Sequence, residues 1–146
     1  DEDIQTIPGT DGAKMSKSYG NTIDLFTTEK QLKKQTGKIV TESVPMEEPK
    51  EYINCNVYNL CKLFLDEAGQ KELQERYKRG GEGHGHFKIY LKELIWDHFA
   101  QAREKRAYYL EHTDEVLQIL NEGAKKASAI AKEKMRIVRD AVGIYR

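Results

Sequence analysis

Lys14-Met15-Ser16-Lys17-Ser18, entered through Pro8-Gly9-Thr10-Asp11-Gly12 and continued by Tyr19-Gly20-Asn21, sets two ammonium groups three residues apart with hydroxyls beside them. Lysine offers an anion a compact point charge with three rotatable donors, which suits phosphate. Gly9, Gly12 and Gly20 allow close approach of backbone to a ligand and a change between open and closed loop conformations. An arbitrary lysine pair in such a stretch reads equally well as a solvated surface connection. The length of the ordered string is what sets this one apart.

The rest of the chain reads as helices that could carry such a loop. Thr27-Thr28 followed by Glu29 is a helix start with acid in its first turn, running to Thr36 and stopping at Gly37. Residues 38–50 contain Pro45 and Pro49 without helical period, an extended connection. From Asn54, the spacing Val57, Leu60, Cys61, Phe64, Leu65 predicts an amphipathic helix ending near Gly69, with another over Gln70 to Lys78 stopped by Gly80-Gly81. The loop from Gly80 to Gly85 is the main internal hinge. Phe87, Tyr90, Leu91, Leu94, Ile95, His98, Phe99, Ala102 and Tyr109 then recur at helical spacing, so one long spine helix is expected to reach about His112. A last helix starts at Thr113 and ends at Gly143. Its stripe of Val116, Leu120, Ala124, Ala127, Ala131, Met135, Val138 and Val142 is expected to lie close against the spine.

Composition limits the function classes. With 38% hydrophobic and 33% charged residues, a chain of 146 residues can bury one core and no run of it approaches membrane-spanning length, so no membrane role is expected. The 24 basic and 24 acidic side chains cancel, so general attraction to nucleic acid is not expected and RNA contact must come from local patches. Residues 123–146 are such a patch, with Lys125, Lys126, Lys132, Lys134, Arg136, Arg139 and Arg146 against Glu133 and Asp140; a solvated helix face explains them equally well. Cys55 and Cys61 fit neither a zinc knuckle nor a redox pair and read as buried or half-buried thiols, so no metal site is expected. His98 falls on the apolar stripe and reads as a core histidine. His84 and His86 read as supports of a helix start and not as proton-transfer groups. Trp96, off the stripe, is expected under a loop or against a neighbouring domain.

The string Lys14 to Asn21 resembles the KMSKS signature of class I aminoacyl-tRNA synthetases, which commonly continues into Gly-Asn. Lys38 to Ser43, Gly83 to Lys88 and Gly123 to Ala127 resemble, in order and spacing, the bacterial tryptophan–tRNA ligase branch of that family, and the resemblance covers essentially the whole chain. The tyrosine–tRNA ligases are the nearest alternative, and a non-catalytic helical RNA-binding module is the alternative from another class. The family's His-x-Gly-His signature has no counterpart, since His84-Gly85-His86 lacks the intervening residue and follows the lysines.

The resemblance implies a C-terminal piece of a longer enzyme, inactive alone. Residues 1–26 would be the edge of a Rossmann-type α/β catalytic domain, and residues 27–146 an all-α helical bundle that binds the tRNA anticodon. It implies ATP-dependent activation of tryptophan to its adenylate and transfer to tRNA(Trp), by a cytoplasmic homodimer with no DNA partner. Lys14 and Lys17 take the catalytic role, and Lys14, Met15, Ser16, Lys17 and Ser18 the ATP phosphates, with Mg2+ carried by those phosphates and the ATP held mainly by the missing catalytic domain. Arg103, Lys105, Arg106 and Tyr109 are the expected tRNA contacts, combining phosphate anchors with a stacking platform. At least one of Tyr108 and Tyr109 is expected in the core.

Overall fold

The computed structural model describes residues 6–144, so residues 1–5 and 145–146 of the two expected segments, Arg146 included, lie outside the described residues. Among the described residues the expected all-α class holds, with six α-helices and no strand; Pro8 and Lys14 form one isolated antiparallel bridge. The chain divides into two compact units, one running to Gln101 and the other starting at Ala102. Residues 6–26, set apart by sequence from 27 onward, are part of the first unit, where Asn21 and Ile23 are buried and Leu25 packs against the core.

In the first unit, α1 (Glu29–Gly37) opens on a capping box. The Thr28 hydroxyl accepts from the Gln31 N–H while the Gln31 side chain takes the Thr28 N–H, an arrangement worth about 1 kcal/mol. Leu32 and Thr36 turn inward from α1. The connection over 38–50 is extended, as expected, but it holds a buried charge that its sequence does not announce. Lys50 is 4% exposed, and its ammonium group donates to the carbonyls of Pro45, Met46 and Glu48 at 3.0, 3.1 and 2.8 Å. Three donors on one nitrogen thus close the turn between the two prolines.

α2 (Asn56–Cys61) buries Val57, Tyr58, Leu60 and Cys61 and passes into a 3-10 turn over Lys62–Phe64. The expected continuation to Gly69 is not found. Leu65 is extended at φ −113 and ψ 139, and the Asp66 carboxylate accepts the Gly69 N–H at 2.8 Å, so Gly69 belongs to the first turn of the next helix. A capping aspartate outweighs glycine as a stop signal here because it satisfies an N–H that otherwise has no partner. That helix, α3 (Glu67–Arg79), ends at Gly80, whose φ of 74 requires glycine and whose Cβ would overlap the Glu47 carbonyl.

α4 (His84–His98) is held to α3 by the stack of Tyr77 on Phe87, centroids 3.8 Å apart and 17° between planes, with Tyr52 and Tyr58 edge-on to Tyr77. Arg76 grips Glu82 with two bonds of 2.9 and 2.6 Å and lies over the rings of Phe87 and Tyr90. Lys92, 8% exposed, reaches from α4 to Glu29 at 2.8 Å and joins the helix to α1. Cys61 is buried and Cys55 half-buried, as expected, and burial pushes the Cys61 thiol up to about 12. His86 Nδ1 accepts the Gly83 N–H at 3.1 Å and supports the helix start. His84 is half-buried with both ring nitrogens out of water and unbonded, and burial, reinforced by Lys50 and Lys88, holds its pKa below the usual imidazole value. Trp96 packs partly against the core.

The single spine helix is two helices. Phe99 leaves helical geometry at φ −97 and ψ 14, with its ring edge-on to Phe64, and α5 (Ala100–Glu111) begins after it. Helical period continues through the break, so no sequence signal marks it. His98 at that junction is exposed, not a core residue, and lies edge-on to Phe64.

In the second unit, α6 (Thr113–Val142) runs thirty residues and stops at Gly143 in the left-handed region, φ 72. None of its residues is buried; of the expected apolar stripe, Leu120, Met135, Val138 and Val142 are exposed, so the close packing expected of it is not found. Arg136 bonds Glu133 at 3.0 Å and Asp140 at 3.1 Å on the polar face, pairs that add only tenths of a kcal/mol each.

Truncating Phe87 to Ala should cost about 3–5 kcal/mol by emptying the ring stack, against about 1 kcal/mol for Asp66→Ala at the α3 cap. Urea denaturation of the two variants orders them; equal losses would show that the Tyr77–Phe87 stack is not the centre of this core.

Candidate functional site

The lysine loop is built on a tight turn. The Gly9 N–H donates to the Ala13 carbonyl at 2.7 Å, the Gly12 N–H to the Gly9 carbonyl at 3.1 Å and the Met15 N–H to the Ile7 carbonyl at 2.9 Å. Gly12 sits at φ 86, and a Cβ there would come within 2.6 Å of the Asn56 amide. The Val40 N–H donates to the Thr10 carbonyl at 2.8 Å, which ties the turn to the 38–50 connection.

Asn21, only 2% exposed, stands at the centre of this turn. Its amide nitrogen donates to Asp11 Oδ1 at 2.8 Å and to the Lys14 carbonyl at 3.1 Å, and its oxygen accepts the Ser16 N–H at 2.8 Å. Its backbone carbonyl accepts the Thr10 N–H at 2.9 Å. The Asn21 bond is the largest reason that the Asp11 carboxyl stays below its ordinary pKa, with the Ala13 N–H adding to it. A Cβ on Gly9 would overlap the Asn21 side chain, so the small residue is what lets the amide fit. Leaving one of these buried groups unbonded costs about 1–3 kcal/mol.

Above this anchored base, Lys17–Tyr19 form a single 3-10 turn between extended Ser16, φ −152, and left-handed Gly20, φ 67. Lys14, Lys17 and Ser18 are exposed, Ser16 is half-exposed and its hydroxyl lies 2.8 Å from that of Ser18. Met15 points the other way and packs against the core. The structure therefore brings Lys14, Ser16, Lys17 and Ser18 onto one accessible loop, and makes Met15 its apolar anchor. Two fixed-origin cations and two hydroxyls can neutralise and bond an anion carrying several oxygens.

The expected RNA contacts lie on the second unit. Lys105, Arg106 and Tyr109 line an open groove of about 710 Å³ whose remaining wall includes Leu110, Val116 and Leu117. Lys105 Nζ lies 6.0 Å from the Tyr109 ring centroid. Arg103 does not line the groove. Neither tyrosine is buried, contrary to expectation: Tyr108 stacks on His112 at 4.0 Å and donates its hydroxyl to Glu115 at 2.7 Å, while Tyr109 remains half-exposed. Among the described residues, no group of three or more His, Cys, Asp or Glu side chains could hold a metal ion, and no helix is long and apolar enough to cross a membrane.

The sequence model for tRNA synthetases class I (W and Y) matches residues 4–100, a span that includes the lysine loop and α1 to α4. The chain belongs to this family. Among its relatives in the class I synthetases, the tryptophan–tRNA ligase of Campylobacter jejuni is 55% identical over 143 residues, covering 98% of this chain and 45% of that protein. The tryptophan–tRNA ligase of Fusobacterium nucleatum is 46% identical over 143 residues, covering 98% of this chain and 44% of that protein. The crystal structure of the Campylobacter jejuni tryptophanyl-tRNA synthetase complexed with ADP and tryptophan superposes with a TM-score of 0.93 at 55% identity, over 98% of this chain and 45% of that one. The chain thus spans less than half the length of these synthetases. Its helical fold matches that of the Campylobacter jejuni structure over the shared part.

Replacing Gly9 with Ala should displace the Asn21 amide and speed hydrogen exchange of the Thr10 and Ser16 N–H groups on the order of tenfold, since each donates to Asn21. Unchanged exchange at both positions, followed by NMR, would remove Asn21 from the account of how this loop is held.

Proposed function

We propose that this chain is part of a tryptophan–tRNA ligase, supplying the loop that binds ATP phosphates and helices that bind tRNA(Trp). The observation that carries the reading is the exposure of Lys14 and Lys17 on a loop whose backbone is bonded from beneath, in a chain 55% identical to a ligase of that specificity.

In amino-acid activation the carboxylate of tryptophan attacks the α-phosphate of ATP, the bond to the β-phosphate breaks and pyrophosphate leaves. The protein has little covalent work in such a transfer, so placing charge against the departing oxygens dominates the rate. Lys14 and Lys17 supply that charge, and Ser16 and Ser18 donate hydroxyl hydrogens to the same oxygens. Met15 holds the strip of loop to the core while its neighbours face the ligand. Mg2+ bound with the ATP would add further neutralisation of the phosphates; among the described residues no group of three or more His, Cys, Asp or Glu side chains could hold it. The relative's complex with ADP and tryptophan supports the choice of an adenine nucleotide and of that amino acid.

Residues 1–26 then form the edge of the catalytic domain, and residues 27–146 the tRNA-binding part of a cytoplasmic homodimer. Lys105, Arg106 and Tyr109, around one groove, provide phosphate anchors beside a ring on which a base can stack; Arg103 contributes from outside it. Tyrosine is the second amino acid to consider, because the matching family joins the tryptophan and tyrosine enzymes. ATP–pyrophosphate exchange by the full-length enzyme with each amino acid in turn decides between them.

In that enzyme Lys17→Ala should slow adenylate formation on the order of 10²-fold, the usual effect of losing one preorganised charge contact. An unchanged single-turnover rate would remove the clamp. Arg106→Ala should raise the KM for tRNA severalfold and leave exchange nearly intact. Equal damage to aminoacylation and exchange would contradict an RNA role for the groove.

A further inference from the structure

We propose that Asn21 is the positioning residue of the lysine loop: its buried amide fixes the backbone under Lys14 and Ser16, leaving the Lys17–Tyr19 turn to close on the phosphates. This rests on the activation reading above. The loop would then have two halves, one set before ligand arrives and one that moves.

Three observations support the division. First, a single side chain joins three points of the loop. Both hydrogens of the Asn21 amide are used, on Asp11 and on the Lys14 carbonyl, and its oxygen takes the Ser16 N–H, all at 2.8–3.1 Å in a residue 2% exposed. Second, the turn that follows has little to hold it. None of its residues is buried, its Tyr19 and Gly20 amides bond within the turn at 3.2 and 3.3 Å, and Gly20 has open space around its Cα. Third, it ends at left-handed Gly20, a residue whose backbone can change conformation at little steric cost.

The chemistry required at position 21 is narrow. The site needs two donors and an acceptor on one short planar group. A carboxylate of the same shape would keep the Ser16 contact but would face the Asp11 carboxylate and the Lys14 carbonyl with no hydrogen to offer either.

Asn21→Asp in the full-length enzyme, measured beside Lys17→Ala by ATP–pyrophosphate exchange with tryptophan, tests the inference. Counting active sites separates lost activity from lost protein. The expected result is a fall of tenfold or more in kcat per active site with the KM for tryptophan within about twofold. Adding Asp11→Asn to Asn21→Asp puts a donor back opposite an acceptor and should recover several-fold of the loss, in yield as well as rate if the single variant folds poorly. A slow Lys17→Ala beside an Asn21→Asp of unchanged kcat would overturn the positioning role alone. No recovery in the paired variant would overturn it too. Unchanged exchange in Lys17→Ala would instead remove the activation reading, and the inference with it.

Discussion

The proposed phosphate clamp depends on a loop backbone set before any ligand arrives, and one buried amide holds that backbone. Asn21 reaches Asp11, Lys14 and Ser16 at once, and Gly9 is small so that it can. The lysines themselves are exposed and contribute nothing to the core. Their starting positions are therefore inherited from residues before and after the string, and the charges do not have to find their geometry from an unstructured loop, which would carry an entropic cost on every binding event.

The anchored turn is tied into the compact first unit behind it. Thr10 is bonded to Val40, and the Val40 segment leads to the turn that Lys50 closes with three carbonyl bonds. Lys50 in turn donates its backbone N–H to the Tyr77 carbonyl at 2.8 Å, on the helix whose ring stacks against Phe87. A continuous set of contacts therefore runs from the loop to the aromatic centre of the core. Met15 joins the same core more directly through its side chain.

The second unit differs in kind. From Ala102 on, α5 and α6 contain no buried residue, so what they present is mostly surface: a groove with cationic and aromatic side chains, and a long helix with one apolar and one charged face. An amphipathic pattern shows that a face is suited to burial. It does not say against what.

The residue order alone was enough for the elements whose signals are local. The start of α1 after Thr28, the stop of α3 at Gly80, the end of α6 at Gly143 and the all-α class follow from side chains acting on their own few neighbours, and the string from Lys14 to Asn21 announced the candidate site by its unbroken length. Tertiary structure decided what depends on distant partners. The break at Phe99, the start of α3 three residues before Gln70, the exposure of His98, the burial of Lys50 and Lys92, and the role of Asn21 all arise where a ring, a charge or an amide meets a group elsewhere in the chain. Periodicity reports which side of an element prefers to leave water. The partner that satisfies a buried donor or acceptor is set only when the fold brings it within 3 Å or so.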